Sequence, residues 1–318
     1  MNAVVTNLNI KRQNGRYYTQ GNPFQLDPFK LWAEKIKLRN HKVLEPYAGA
    51  NNIIRTLQAV GYAKNFTSFD IEPDSPDVEY RDTISNFPNN FKTCITNPPW
   101  LAKNSAHRRG LWYPNTKFDD LYKHALHLCL ENCENVGALI PATFLQSRLF
   151  LERLDSIIFL HDKGMFSDTE NPVCLALFTK KSEDVHIFFD STFIGSLSDL
   201  SKNLPTGNKK AEELVFNDPQ GELGFIAFDD TQGPSIRFCR GAELSNYNIC
   251  HSSRMITRIG GNFSNLSSLV YNLNNELSEF RNSTKDVFLT PFKGLRKDGM
   301  YRRRMDYQLA RNFISTHA

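Results

Sequence analysis

The 318-residue chain contains no run of eighteen apolar residues and no charged start followed by an apolar stretch, so neither a membrane span nor secretion is expected. It contains no Cys-x-x-Cys pair. The six cysteines, Cys94, Cys129, Cys133, Cys174, Cys239 and Cys250, lie mostly in apolar segments, which reads as reduced, structural thiols and speaks against a zinc site. Gly-x-Gly-x-x-Gly is missing, which excludes the dinucleotide fingerprint. Internal repeats and low-complexity tracts are also missing. A large excess of one charge sign is absent too: the net charge is only +4. That charge is unevenly placed, because residues 251–318 hold eleven Lys and Arg against five Asp and Glu. A polyanion is therefore expected on the C-terminal part. At this length two domains are more natural than one.

What is present centres on Thr96-Asn97-Pro98-Pro99-Trp100. The apolar run before it reads as a strand, and two prolines force the chain out of the sheet into a stiff extended loop. The Asn97 amide oxygen and the Pro98 carbonyl can both accept hydrogen bonds from an amino group, and Trp100 offers a face to a planar ring. A nucleobase seat is one reading; a surface turn with an aromatic core plug is the other.

Upstream, residues 28–39 read as an amphipathic helix. Lys42-Val43-Leu44-Glu45-Pro46-Tyr47-Ala48-Gly49-Ala50 then forms a strand ending in an acid and a turn of small residues, followed by a helix carrying Ile53, Ile54, Leu57 and Val60. Small residues let backbone approach a ligand, and an acid at that turn suits an ammonium and a sulfonium better than a pyrophosphate. The next strand, 65–72, ends in Asp70, Ile71 and Glu72. An acid at the second strand tip of a doubly wound sheet is placed to hold ribose hydroxyls, here Asp70, with Ile71 against a purine. Glu72 reads better as a helix cap. Asp82 ends a third strand and either accepts from an adenine amino group or caps a turn.

Downstream, 103–114 is read as a basic loop in which Arg108 and Arg109 meet phosphate or form a solvated cluster. Helices are expected over 119–132 and from 144 to 151, and strands over 136–141, 156–160 and 173–178. After Lys181 short strands alternate with turn-rich pieces, marking a separate module. Its Lys293, Arg296, Lys297, Arg302, Arg303 and Arg304 read as a nucleic-acid face, with a plain solvated face as the alternative.

The ordered set Gly15-Arg16-Tyr17-Tyr18-Thr19, Val43-Leu44-Glu45-Pro46, Phe69-Asp70-Ile71-Glu72-Pro73, Asp82 and Asn97-Pro98-Pro99-Trp100 resembles the gamma class of S-adenosylmethionine-dependent amino-methyltransferases, the TaqI-type DNA adenine methyltransferases. The likeness covers about residues 15–181. It departs from that pattern in having no second glycine in the turn, and Trp where Tyr or Phe is more usual at position 100. The resemblance implies an α/β fold: a class I, Rossmann-like methyltransferase sheet over 1–181, then a basic target-recognition domain over 182–318. It further implies that Thr19, Glu45, Tyr47, Ala48, Gly49, Asp70, Ile71 and Asp82 bind S-adenosylmethionine, with no metal. Asn97, Pro98, Pro99 and Trp100 would hold the target amino group, with Phe166 packing on the opposite face of the base. The implied activity is site-specific adenine-N6 methylation of a base flipped out of double-stranded DNA. Cytosine-N4 methylation of DNA, RNA adenine-N6 methylation and protein glutamine methylation are the enzymatic alternatives, and a non-catalytic nucleic-acid binder is the other class. A bacterial or phage-encoded cytoplasmic monomer, with a cognate restriction endonuclease as a further partner, completes the expectation.

Overall fold

The structure, a computed structural model, describes residues 22–161, 171–208 and 213–317. It divides into two compact units, Met1–Ser196 and Leu197–Ala318.

The first unit runs α1 (Asp27–Lys35), β1 (Lys42–Glu45), α2 (Asn52–Ala59), β2 (Asn65–Asp70), β3 (Glu79–Tyr80), β4 (Thr93–Thr96), α3 (Lys103–Arg108), α4 (Leu121–Asn132), β5 (Asn135–Pro141), β6 (Leu154–Leu160), β7 (Val173–Phe178), β8 (His186–Phe189) and β9 (Thr192–Ser196). All nine strands form one sheet in the order β3-β2-β1-β4-β5-β7-β6-β8-β9. Strands β3, β2, β1, β4 and β5 are mutually parallel. Strand β7 enters antiparallel between β5 and β6. The expected fold class holds: this is a doubly wound α/β sheet in the order of a class I methyltransferase, followed by a second C-terminal unit. Strands β4, β6 and β7 are buried along their whole length, which explains why β7 and residues 157–160 of β6 read as continuous apolar runs rather than alternating ones. The chain order reverses between β1 and β4, so the crevice at their carboxyl ends is the switch point where open α/β sheets bind ligands.

Several boundaries differ from the sequence expectation. Helix α1 ends at Lys35 because Lys37 turns left-handed, with φ 56°, before a short 3-10 turn over Leu38–Asn40. Residues 103–108 are helical rather than loop. The helix expected from 144 is instead a 3-10 segment, Ala142–Ser147, ended by left-handed Arg148 and Phe150. Strands β8 and β9 belong to the first sheet, β8 pairing in parallel with β6. The first unit therefore extends to Ser196 rather than ending at residue 181.

The second unit contains α5 (Leu197–Ser201), β10 (Val215–Phe216), β11 (Leu223–Ile226), β12 (Arg237–Arg240), β13 (Ile256–Gly260), α6 (Leu266–Thr284), β14 (Thr290–Leu295), β15 (Tyr301–Arg304) and α7 (Tyr307–His317). An antiparallel sheet in the order β10-β13-β11-β12 and the β14-β15 ribbon surround an apolar core. That core includes Phe225, Phe238, Leu273, Phe280 and Phe313. No helix among the described residues is long and apolar enough to cross a membrane.

Candidate active site

The tips of β2, β1 and β4 lie side by side in the sheet and carry Asp70, Glu45 and Thr96-Asn97 respectively. Glu45 is fully buried. Its Oε1 accepts from the Thr96 hydroxyl at 2.6 Å and from the Tyr47 backbone N–H at 3.1 Å. Its Oε2 has no hydrogen-bond partner among the described residues. Burial pushes the carboxyl up to about 8, against the pull of the Thr96 and Tyr47 hydrogen bonds and with a further push from Asp70. A buried acid with one oxygen unanswered is ready for a cationic group, which would restore its ionised form.

The turn from β1 into α2 is held open by its own contacts. Gly49 has φ 51°, a left-handed value that glycine adopts without strain, and its N–H donates to Asp70 Oδ2 at 2.8 Å. Asn51, also left-handed at φ 64°, is buried and accepts from the Ser68 hydroxyl at 2.8 Å. Asp70 Oδ1 accepts from the Glu72 N–H at 2.8 Å. Each Asp70 oxygen still has a lone pair for a hydroxyl donor. Beside it Ile71 is 47% exposed, an apolar surface at the strand tip. Asp82 accepts from the Ile84 and Ser85 backbone N–H groups and from the Ser85 hydroxyl. These are turn-capping contacts, the alternative role for that residue.

After β4 the two prolines end the ladder as the sequence predicts, and Pro98 is buried. Trp100 is only 8% exposed, so protein encloses most of its ring. Arg108 and Arg109 are exposed at the end of α3. Thr19 and Phe166 lie outside the described residues.

The basic residues of the second unit are not one solvent-facing strip. Lys293 and Lys297 are exposed, whereas Arg296 and Arg303 are 7% and 1% exposed. Buried Asp229 explains this: it accepts from Arg281 at 2.8 Å, from Arg296 at 2.9 Å and from the Arg303 backbone N–H at 3.2 Å. Burial works against its ionisation, but the Arg281 and Arg296 hydrogen bonds hold its carboxyl below the usual range. Burial lowers the Arg303 guanidinium to about 10, still charged at neutral pH. Arg302 donates to the Asp229 carbonyl and lies over the Phe292 ring at 4.7 Å. Arg296 is taken up inside the unit by Asp229 and Asp298, and the Arg303 side chain is buried, so neither lies on the solvent-facing strip that the nucleic-acid role expected of them requires. Alternation along β15 was the available signal, since neighbours on a strand face opposite ways.

Sequence reasoning gave no role to Thr96, Asn51, Ser68 or Thr83, whose hydroxyl donates to the Pro46 carbonyl at 2.8 Å. These residues hold the loops in place. The pairing of β1 with β2 and β4 brings Ser68 and Thr96 beside the β1 tip, and spacing along the chain does not reveal it.

No protein-family model and no curated protein sequence matches the chain. Among solved structures, it is similar to a type I restriction-modification methyltransferase subunit from Streptococcus thermophilus at 15% identity and TM-score 0.37, over 61% of this chain and 50% of that one. A proposed class I S-adenosylmethionine-dependent methyltransferase from Listeria monocytogenes matches at 12% identity and TM-score 0.37, over 55% of this chain and 69% of that one. A proposed RNA methyltransferase from Pyrococcus horikoshii matches at 14% identity and TM-score 0.38, over 54% of this chain and 91% of that one.

Proposed function

We propose that this chain methylates the N6 amino group of an adenine flipped out of double-stranded DNA, with S-adenosylmethionine as donor. The observation that carries the reading is the junction of β1 and β4, where a buried, half-satisfied Glu45 is hydrogen-bonded to the residue before Asn97-Pro98-Pro99-Trp100. Glu45 answers the ammonium of the cofactor, and the Tyr47-Ala48-Gly49 turn gives its amino-acid end room. Asp70 accepts from the ribose hydroxyls and Ile71 lies against the purine, with Asp82 at its edge. When bound, S-adenosylmethionine supplies an electrophilic methyl group on a sulfonium.

Asn97 Oδ1 and the Pro98 carbonyl accept from the two N6 hydrogens. Those bonds favour a more tetrahedral nitrogen and aim its lone pair, otherwise delocalised into the ring, towards the methyl group. The surplus proton becomes acidic on methylation and passes to water, so an amide suffices where a strong base would otherwise be needed. Trp100 walls the base on one side, its ring uncovered as the base enters, and Phe166 takes the other side. Together they offset part of the unstacking cost, a few kcal/mol. The exposed Lys293 and Lys297 of the second unit, with Arg108 and Arg109 of the first, contact phosphate.

The full chain incubated with methyl-labelled cofactor and duplex DNA should label the DNA. Asn97→Ala should lower turnover by about a hundred-fold or more, as removal of a positioning acceptor does, and leave cofactor affinity within a few-fold. Undiminished turnover in that variant would remove Asn97 from the chemistry. Label in RNA or protein alone would overturn the DNA assignment.

A further inference from the structure

The segment that follows the Asn97-Trp100 tetrad is a closed loop whose base and tip are built differently. Its base is tied by a bridge between Ala102 and Asp120. Lys103 N–H donates to the Asp119 carbonyl at 2.8 Å, and Leu121 N–H to the Leu101 carbonyl at 2.9 Å. Asp120 Oδ1 accepts from Leu101 N–H at 3.1 Å.

Within the loop, α3 ends in a Schellman turn. Gly110, at φ 62°, donates to the His107 carbonyl at 3.2 Å, and Leu111 donates to the Ala106 carbonyl at 3.0 Å. Leu111 and Tyr113 pack inward on Leu101, Ala106 and Leu121. Trp112, between them, is 66% exposed. It has no ring, hydrogen-bond or ion-pair partner among the described residues, and neither do the side chains of exposed Arg108 and Arg109. An indole held outward by two anchored neighbours, on the loop that also carries the exposed Arg108 and Arg109, presents a flat apolar face together with positive charge. The acidic residues of the loop add little field at the tip, because Asp119 is paired with Lys123 at 2.7 Å and half-buried Asp120 is taken up at the loop base, accepting from the Leu101 and Tyr122 N–H groups.

We infer that Trp112, with Arg108 and Arg109, is a second DNA contact of the catalytic unit, in which the indole stacks on a base exposed beside the flipped adenine and the arginines grip the adjoining phosphates. The inference rests on the function proposed above. A nucleic-acid strand meets both demands at once, since every base has a face for stacking and every linkage carries a negative charge. The contact is continuous with the tetrad, because the loop base at Leu101 directly follows Trp100. An aromatic there needs no sequence preference and fills the role of holding a locally unstacked duplex open.

The test is a titration of the full-length protein with duplex DNA, comparing wild type with Trp112→Ala, Trp112→Phe and the Arg108→Ala/Arg109→Ala double variant. Trp112→Ala should weaken DNA binding about ten-fold or more, and Trp112→Phe should recover most of it. The double variant should lower the slope of log affinity against log salt by roughly two. Thermal midpoint and S-adenosylmethionine affinity should stay at wild-type values in all three, since these side chains are exposed. Acrylamide quenching of the one exposed tryptophan should fall when DNA is added. If wild type binds and methylates DNA while Trp112→Ala binds it equally tightly, the inference is overturned and the proposed function stands. If wild type neither binds nor methylates DNA, or binds vesicles of phosphatidylglycerol instead, the function reading and this contact both fall.

Discussion

Glu45 sets the electrostatics of the site, and its effect on stability has a definite sign. In the folded chain its carboxyl titrates at about 8, whereas the unfolded chain releases that proton at 4.5. Between those values the folded state holds a proton that the unfolded state has lost, so the stability of the ligand-free protein falls as pH rises from about 4.5 to 8. Glu45→Gln keeps an oxygen for Thr96 and Tyr47 and has no proton to lose. Urea unfolding at pH 6 and 8.5 should therefore show the variant gaining a few kcal/mol on wild type at the higher pH. An equal pH response in both proteins would mean that Glu45 is not held protonated. Binding of a cationic ligand reverses the preference: wild-type affinity for S-adenosylmethionine should rise from pH 6 to 8 with release of one proton, and Glu45→Gln should lose most of that affinity at both. At this scale much of the candidate site's placement in the fold was legible beforehand. Glu45, Asp70 and Asn97 announce themselves as polar residues ending apolar strands. Thr96 and Asn51 did not, because their roles depend on strand neighbours rather than on chain neighbours. Trp100 was legible as an aromatic, and its enclosed ring agrees with the core-plug alternative rather than with an open stacking face.

Among the elements, strands and helices with strong patterns were readable and irregular ones were not. The buried strands of the first sheet and the amphipathic α2 and α4 carry their signal within a few residues. Helix α6 does not, because Asn and Ser crowd its polar face. Its stripe of Leu269, Leu273, Leu277 and Phe280 is plain only once the core beside it is known. The short α3 lacks a side-chain N-cap bond and reads as loop. In the second unit, what joins α6 to the β14-β15 ribbon is the carboxylate of Asp229, shared by Arg281 of the helix and Arg296 just past β14. Truncating it takes one carboxylate from each of two buried cations, leaving Arg281 to Asp286 and Arg296 to Asp298, and strands the backbone N–H groups of Ser235 and Arg303. Asp229→Ala should lower stability by roughly 3–5 kcal/mol, whereas Lys297→Ala, at an exposed site, should stay within about 0.5 kcal/mol. Denaturant curves of the two variants check this. An Asp229→Ala midpoint matching that of Lys297→Ala would mean the ion cluster does not hold the ribbon.

For the molecule as a whole, the division of labour follows the charge only in part. The C-terminal 68 residues carry the excess of Lys and Arg, yet two of those cations, Arg281 and Arg296, share the buried Asp229 carboxylate, so net charge overstates what faces a polyanion. The first unit brings its own exposed arginines to the loop after the tetrad. That the first unit is an α/β sheet was legible from the succession of strand, small-residue turn and helix, whereas the strand order comes from the pairings. The extent of the first sheet was not, because β8 and β9 read like the short strands of the second unit until their pairing with β6 is seen. The central claim is that this sheet seats an adenine of DNA at Asn97, and one measurement addresses it directly. Duplex DNA methylated by the full chain with labelled S-adenosylmethionine is digested to nucleosides and the labelled product is identified. Label is expected in N6-methyl-deoxyadenosine and is lost with Asn97→Ala. Label in N4-methyl-deoxycytidine, or none in DNA at all, would contradict it.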